Sequence, residues 1–465
     1  MRRNELNNYI FYRRHPEYAA NENRWKRSRA AYCGGKNYID QALIRHVSEI
    51  DIEFAERRRR AYYFNYPRAI AQKITQYVLS VEPARRNADP EFVENWSRSG
   101  LRCNEVMRQL STLLNVYGRA WLSVEMPNFE GTPSVERARR EGLRPHVRAL
   151  SPLQVTDWAY GDDGQLLWAV TAEEEMFNHD PFNPPVKIHR RRLFTRETWH
   201  LYEQTPSGVK EVDSGVNMTG VVPMVGVTEP DGFGIGGGHW FEDIVRVSEA
   251  ILNNESEAQM NTVKQMFGML VVSESFARGA QKLNSAGSRA ENFSATVARS
   301  AAIIEAVEEK GISRFISPSG VETAAIRREN EYLKRELYEI VGLALQSNSR
   351  NNQSAESKAW DFQNASQFLA ARADLLEQSE LETWKIMHLY DLDLPVPEVI
   401  YNRKFAVRDL NAAIAGVLQL ASLDIGSSFR RAVGYAATEL LDAVEPIDIK
   451  HKQEIFDEIN RNSLK

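Results

Sequence analysis

The chain has 465 residues, 43% of them apolar, which is enough to bury about two to four packed domains. A formal net charge of −5 excludes a protein that coats nucleic acid by bulk positive charge, though not a conduit for it. The two cysteines, Cys33 and Cys103, exclude a disulfide framework and a cysteine-based metal centre, and no apolar run approaches the ~18 residues that span a membrane.

Residues 1–40 are charged and aromatic (Tyr9, Phe11, Tyr12, Tyr18, Trp25, Tyr32) with little periodicity, so they read as a partly ordered arm that finds apolar partners on another subunit or domain. Arg2, Arg3, Arg13, Arg14, Arg24, Lys26, Arg27 and Arg29, with the run Arg57–Arg60, make this region basic and leave the remainder acidic. No apolar stretch of signal-peptide type follows the basic start, and the richest later run, Ala412–Leu423, is short and interrupted by Gln419. The expectation is a soluble chain folded in a reducing cytoplasm.

From Tyr38 to Pro83 the pattern turns helical, with Phe54, Tyr62, Tyr66, Ile70, Ile74 and Val78 at helical steps and Pro67 breaking or kinking the run. Arg57–Arg60 lie on this helix, where such a run forms a solvated or inter-subunit face more often than a DNA reader. A helix over Glu105–Tyr117 is followed by β-type runs at Ala120–Glu125, His146–Leu150, Val155–Tyr160, Leu166–Ala172, Leu193–Tyr202 and Val221–Val227. Gly161-Asp162-Asp163-Gly164 supplies a hairpin turn between two of them. The region is α+β.

Gly232, Gly234, Gly236, Gly237 and Gly238 precede a helix that starts near His239. A glycine-rich loop at a helix N-terminus can cradle an anion. Here no Lys-Ser/Thr pair follows and no βαβ unit surrounds it, so a hinge is the favoured reading. The helix from Trp240 buries Phe241, Ile244, Val245, Ile251 and Leu252, turns polar over Asn253–Gln259 and resumes at Met260. A short strand at Met269–Val272 and apolar returns at Ala302–Val307 and Ile312–Ile316 follow, an insert of about fifty residues between two long helices that holds a few short strands.

The second of those helices, Gly320–Gln346, reads as a strut about 40 Å long. Ile326, Leu333, Leu337, Ile340, Val341 and Ala344 form one apolar stripe, and Arg327, Glu331, Arg335 and Glu339 a charge ladder on the other side. It ends in a polar loop that is uncharged except for Arg350, Ser347-Asn348-Ser349-Arg350-Asn351-Asn352-Gln353-Ser354. One reading is an ordinary helix connection. The other is a loop lining a path for a polyanion, whose Ser, Asn and Gln offer exchangeable hydrogen bonds where Lys or Arg would grip. A long helix follows from about Glu356 through Trp384, then the extended Leu394–Tyr401 and three C-terminal helical pieces, Leu410–Leu423, Phe429–Ala443 and Lys450–Ile459.

No constellation points to catalysis, a cofactor or a metal. His179 and His189 lie near Arg190, Arg191 and Arg192 without ligand spacing, and no nucleophile-elbow or zinc-protease motif occurs. The chain reads as not an enzyme. The alternatives are a nucleotide-binding enzyme using Gly232–Gly238 and a DNA-binding protein acting through Arg57–Arg60.

The order of features resembles the portal proteins of tailed bacteriophages. The stretches that carry it are His15-Pro16-Glu17-Tyr18 with Trp25 and Gly34, Arg60-Ala61-Tyr62-Tyr63-Phe64-Asn65, Val155-Thr156-Asp157-Trp158 before a hairpin, Val222-Pro223-Met224-Val225 before the glycine loop, and Gly342-Leu343-Ala344-Leu345 ahead of the Ser-rich loop. Each is degenerate, and their order over nearly the whole chain is the specific part. The resemblance implies a homo-oligomeric ring of twelve subunits at one capsid vertex of a virion, with double-stranded DNA in its channel. Its partners would be the major capsid protein, the large terminase subunit and then a head-tail adaptor, with no membrane and no cofactor. It implies a portal fold made of an N-terminal arm (1–40), an α/β wing (41–252), a first stem helix (253–269), a small α/β clip (270–319), a second stem helix (320–346), a tunnel loop (347–356), a connecting helix and strand (357–400) and a helical crown (401–465). Ser347, Asn348, Ser349, Arg350, Asn351, Asn352 and Gln353 would face the DNA channel, and Ile326, Leu333, Leu337, Ile340 and Val341 would pack between subunits.

Overall fold

A computed structural model describes residues 3–127, 143–177, 182, 184, 186–230, 240–266, 269–273, 303–305, 314–316, 320–340, 355–403, 405, 417, 419–420, 426–444 and 449–462. The chain divides into two compact units, Met1–Arg403 and Lys404–Lys465.

The N-terminal stretch, expected as a partly ordered arm, forms three helices: α1 (Arg3–Tyr12), α2 (Pro16–Cys33) and α3 (Lys36–Ala42). Pro16 presets the first turn of α2, His15 Nδ1 accepts the Glu17 N–H at 3.2 Å, and Gly34, at φ 64°, ends the helix. The side chains that α2 buries are Tyr18, Asn21, Trp25, Ser28 and Ala31. Two of the five are polar, so the stripe does not stand out by hydropathy among charged neighbours. These helices pack on their own chain, with Trp25 Nε1 donating to the Tyr117 carbonyl at 3.2 Å and the His15 ring stacked 4.0 Å from Trp158.

Helices α4 (Asp51–Arg60) and α5 (Tyr66–Val78) are separate. Pro67 starts α5 rather than breaking a longer helix, because the first turn needs no proline N–H and Asn65 caps it, accepting the Arg68 N–H at 2.9 Å. After β1 (Ala84–Arg86) and α6 (Pro90–Glu94), α5 packs against α7 (Cys103–Tyr117), which ends at left-handed Gly118.

β2 (Arg119–Glu125) pairs antiparallel with β3 (His146–Leu150) on one side and β9 (Met224–Thr228) on the other. Between them in sequence, β4 (Val155–Tyr160), β5 (Leu166–Phe177), β6 (Val186–Thr195), β7 (Thr198–Thr205) and β8 (Gly208–Val216) form a five-stranded antiparallel meander. The single strand expected over Leu193–Tyr202 is in fact a hairpin. Its turn lacks Gly and Pro and is held by Thr195 Oγ1, which accepts the N–H groups of Glu197 and Thr198 at 3.2 and 2.8 Å. The core beneath the sheets includes Trp25, Trp121, Trp158 and Phe241, and each fully buried large apolar side chain stabilises by roughly 1.5–3 kcal/mol. Buried Arg119 lies 4.2 Å over Trp158 and pairs with Glu17 at 2.5 Å, pinning α2 to the sheet.

α8 (Trp240–Met266) is one uninterrupted helix across the boundary expected at Asn253. Its polar stretch keeps helical geometry because Asn253 and Ser256 bond to the layer above: Asn253 Oδ1 accepts the Ile44 N–H at 2.8 Å, and Ser256 Oγ accepts from Arg57 at 3.0 Å. Three short strands follow, β10 (Met269–Ser273), β11 (Ile303–Glu305) and β12 (Arg314–Ile316), with β10 central, parallel to β11 and antiparallel to β12. Then come α9 (Val321–Ile340), α10 (Ala355–Tyr390) and β13 (Glu398–Ile400), which pairs with β1. In the second unit α11 (Ser427–Val444) meets α12 (Ile449–Asn462) through Tyr435 and Phe456, edge to face at 4.9 Å. The architecture is a mixed α+β one.

Candidate functional site: the paired long helices and their flanks

Helices α8 and α9 pack side by side. Along α9 the buried positions are Thr323, Asn330 and Leu337, at a heptad spacing, with Ile326 and Leu333 half-buried beside them. Asn330 sits inside the seam: it accepts from Asn254 Nδ2 at 3.0 Å and donates to Glu255 Oε1 at 2.8 Å. A buried amide satisfied on both ends fixes the register of two helices that apolar contacts alone would let slip.

This changes the role expected for the stripe. Leu337 is fully covered by its own chain and Ile326 and Leu333 are half-covered, so part of the stripe assigned to inter-subunit packing is occupied within the subunit. Apolar side chains meet the nearest helix of their own chain first, and here α8 is that helix. Ile340 closes α9, and Val341 lies outside the described residues, as do Ser347, Asn348, Ser349, Arg350, Asn351, Asn352 and Gln353. The ladder Arg327, Glu331, Arg335 and Glu339 is exposed as expected. What α9 leaves for a neighbour is its outer face, where Val321 is 73% and Tyr332 54% exposed.

On the other flank of α8 lies α4. Arg57, 3% exposed, forms a fork with Glu49 (2.8 and 2.7 Å) and also donates to Ser256 Oγ and the Ile44 carbonyl. It holds the Glu49 carboxyl below its ordinary range. Arg58 pairs with Asp40 at 3.4 Å, and Arg59 and Arg60 both pair with Glu56, whose carboxyl they pull down to about 2. All four arginines therefore have a carboxylate partner, whereas a phosphate-reading array holds its cations free. The run works as a local clamp.

Gly232–Gly238 lie outside the described residues, but their flanks are described. Glu229 stands before the loop, accepting from Trp240 Nε1 at 3.2 Å and pairing with buried Arg372 at 2.7 Å. Glu242 and Asp243 occupy the first turn of α8. Two of these three carboxylates are ion-paired, Glu229 with Arg372 and Glu242 with Arg246 at 2.6 Å, and Asp243 adds a negative charge where an anion would bind. His179 lies outside the described residues, and His189 faces Glu174 across the β5–β6 pair at 3.4 Å. Among the described residues no group of His, Cys, Asp and Glu could hold a metal ion, and no helix is long and apolar enough to cross a membrane. A cleft of about 710 Å³ walled by Phe194, Trp199 and Tyr390 has no histidine, cysteine or lysine among its described lining residues.

Sequence reasoning passed over one surface. Between α3 and the first turn of α4, Ile44, Val47, Ile50 and Ile52 are 71%, 101%, 58% and 79% exposed. The available signal was four aliphatics within nine residues of otherwise polar text, absorbed into the helical pattern of Tyr38–Pro83.

No family model and no curated protein matches this chain. Among solved structures, the chain is similar to one described as "Virion of native gene transfer agent (GTA) particle", at 12% identity, over 88% of this chain and 98% of that one, with a TM-score of 0.42. A likeness at that identity and score decides neither activity nor partners.

Proposed function

We propose that copies of this chain close into a portal, a ring at one capsid vertex through which double-stranded DNA enters and later leaves. The reading rests on the order of the portal-like stretches and, above all, on one observation. Two long helices of 27 and 20 residues, on the order of 40 and 30 Å, fill their mutual seam and still leave Val321 and Tyr332 exposed on the outer side. Rods of that length that expose Val321 and Tyr332 among charged side chains on the outer side fit side-by-side repetition around an axis.

In this reading residues 41–252 are the wing, α8 and α9 supply the stem, and the strands β10–β12 between them belong to the clip that meets the large terminase subunit and later the head-tail adaptor. Residues 347–356 are the tunnel loop, with Ser347–Gln353 toward DNA, and the second unit is the crown. Twelve subunits, the major capsid protein as neighbour and a place in the virion complete the proposal. It assigns the chain no catalytic step and no cofactor. Negative-stain images of the purified protein test it: rings with a central opening are expected, and monomers at every concentration and salt level would overturn it.

A further inference from the structure

Three consecutive arginines on β6 alternate between the two faces of the meander. Arg190 and Arg192 share one face and meet carboxylates there: Arg190 donates to Glu203 at 2.9 Å, and Arg192 lies 3.6 Å from Glu173. Arg191 takes the other face, between Ala172 on β5 and Tyr202 on β7, where Phe11 of α1 packs against Tyr202. The carboxylate it feels there, Glu174, is engaged by Lys187 at 2.8 Å and by His189 at 3.4 Å. Arg191 therefore has no ion pair among the described residues. Its guanidinium stands 5.0 Å from the Phe11 ring centre, Nη1 donates to the Arg190 carbonyl at 3.1 Å, and Nε is closed off from solvent with no acceptor among the described residues. Burial, and after it the charge of Arg14, pull this guanidinium below its ordinary value. Arg14 sits at the α1–α2 corner over the Tyr18 ring and uses Nη1 on the carbonyls of Phe11 and Arg13, at 3.3 and 2.9 Å. It too has no ion pair among the described residues, whereas its neighbour Arg13 pairs with buried Asp157. Burial and Glu22 push the Tyr18 phenol up, against the pull of Arg14, Lys26 and Arg191. Lys26 engages Glu22 at 2.7 Å, and the Tyr18 hydroxyl has no hydrogen-bond partner among the described residues.

We infer that this corner of α1, α2 and β6 binds a phosphate-class oxyanion, held by the guanidinium groups of Arg14 and Arg191 and by the Tyr18 hydroxyl. Two unpaired guanidinium groups match a phosphate in charge, and their planar N–H pairs match its oxygens in geometry. A half-buried cation without a counter-charge destabilises the free chain, and an anion in the corner removes that cost. The contrast with Arg57–Arg60 is direct, since those four cations each have a carboxylate and these two do not. All the groups named lie in one chain, so the site exists with or without assembly into a ring.

The test titrates the purified full chain with inorganic phosphate, against chloride at matched ionic strength, and reads the melting temperature; a second arm replaces phosphate by a short DNA duplex. Wild type should show a saturable rise, with an apparent affinity at least about tenfold weaker in Arg14→Gln and in Arg191→Met. In chloride alone Arg191→Met should melt at or above the wild-type temperature, because an uncompensated charge leaves the fold. Arg14→Gln, at a half-buried corner position, keeps the affinity test open should Arg191→Met fail to fold. A rise with inorganic phosphate identifies a free anion as the ligand, and a rise with the duplex alone, weakened by the same substitutions, identifies a phosphodiester. An Arg191→Met protein that melts lower and keeps the full phosphate response would assign the arginine to packing and overturn the site. A wild type unmoved by either probe, or variants that respond as wild type does through general salt exclusion, would overturn it as well and leave the ring reading standing.

Discussion

Replacing Glu380 by alanine should be among the most damaging single changes in the first unit. This carboxylate is fully buried on α10 and accepts from five donors: Arg85 Nε at 2.6 Å, Trp384 Nε1 at 3.2 Å and Cys103 Sγ at 3.4 Å on one oxygen, Arg85 Nη2 at 3.0 Å and the Tyr401 hydroxyl at 2.6 Å on the other. It ties α10 to α7, to β1 and to the end of β13. Burial pushes the Cys103 thiol and the Tyr401 phenol well up, so both stay protonated donors at neutral pH. Without Glu380 the guanidinium of Arg85, 4% exposed, has no counter-charge. An uncompensated buried charge costs about 3–5 kcal/mol, a fall in melting temperature of about 4–6 °C for a unit of the size of Met1–Arg403. Urea and thermal unfolding of Glu380→Ala, Arg85→Met and Arg85→Met/Glu380→Met measure it. The double variant should recover much of the loss, since both charges leave together. A Glu380→Ala protein within about 0.5 kcal/mol of wild type, or a double variant as unstable as the sum of the singles, would refute the reasoning.

Asn330→Leu should hold or raise the melting temperature, because an apolar residue fits the seam, but should speed amide hydrogen exchange in α9 by loosening the register that Asn254 and Glu255 fix. A loss above about 2 kcal/mol would mean that the amide is needed for stability itself. Arg57→Met removes the cation that keeps the Glu49 carboxyl low. The stabilisation from a depressed carboxyl is complete above its unfolded value near ~4.3 and is lost as pH falls through the folded value. The gap in melting temperature between wild type and Arg57→Met should therefore narrow from about pH 6 to about pH 3; a constant gap would assign the loss to packing. Replacing Asn348, Asn351 and Asn352 by lysine should slow DNA passage without preventing ring formation, and an unchanged packaging rate would remove the loop from the DNA path.

The middle strands were readable because β2–β4 alternate or run apolar between turn residues, and the hairpin at Gly161–Gly164 carries glycine where φ reaches 74°. The β6–β7 hairpin was not, because its turn depends on a threonine hydroxyl instead of Gly or Pro. The long helices were visible by period, but the direction of their apolar stripe was not. Ile326, Leu333 and Leu337 announce that a face will be covered, and only the structure shows that its own chain covers Leu337 and half-covers the other two, beside α8. The N-terminal helices were missed for the converse reason. Their stripe mixes Asn21 and Ser28 with Tyr18 and Trp25, and aromatic residues beside arginines resemble an arm until Trp158 and Tyr117 supply their contacts. The exposed aliphatics Ile44, Val47, Ile50 and Ile52 were legible as composition and not as surface.

The most direct test of the central claim is the end-on view of the assembled protein by cryo-electron microscopy. The account predicts a closed ring with residues 347–356 of every copy at a central opening wide enough for a duplex. A ring whose opening is bordered by other segments, with those residues buried between subunits, would contradict it.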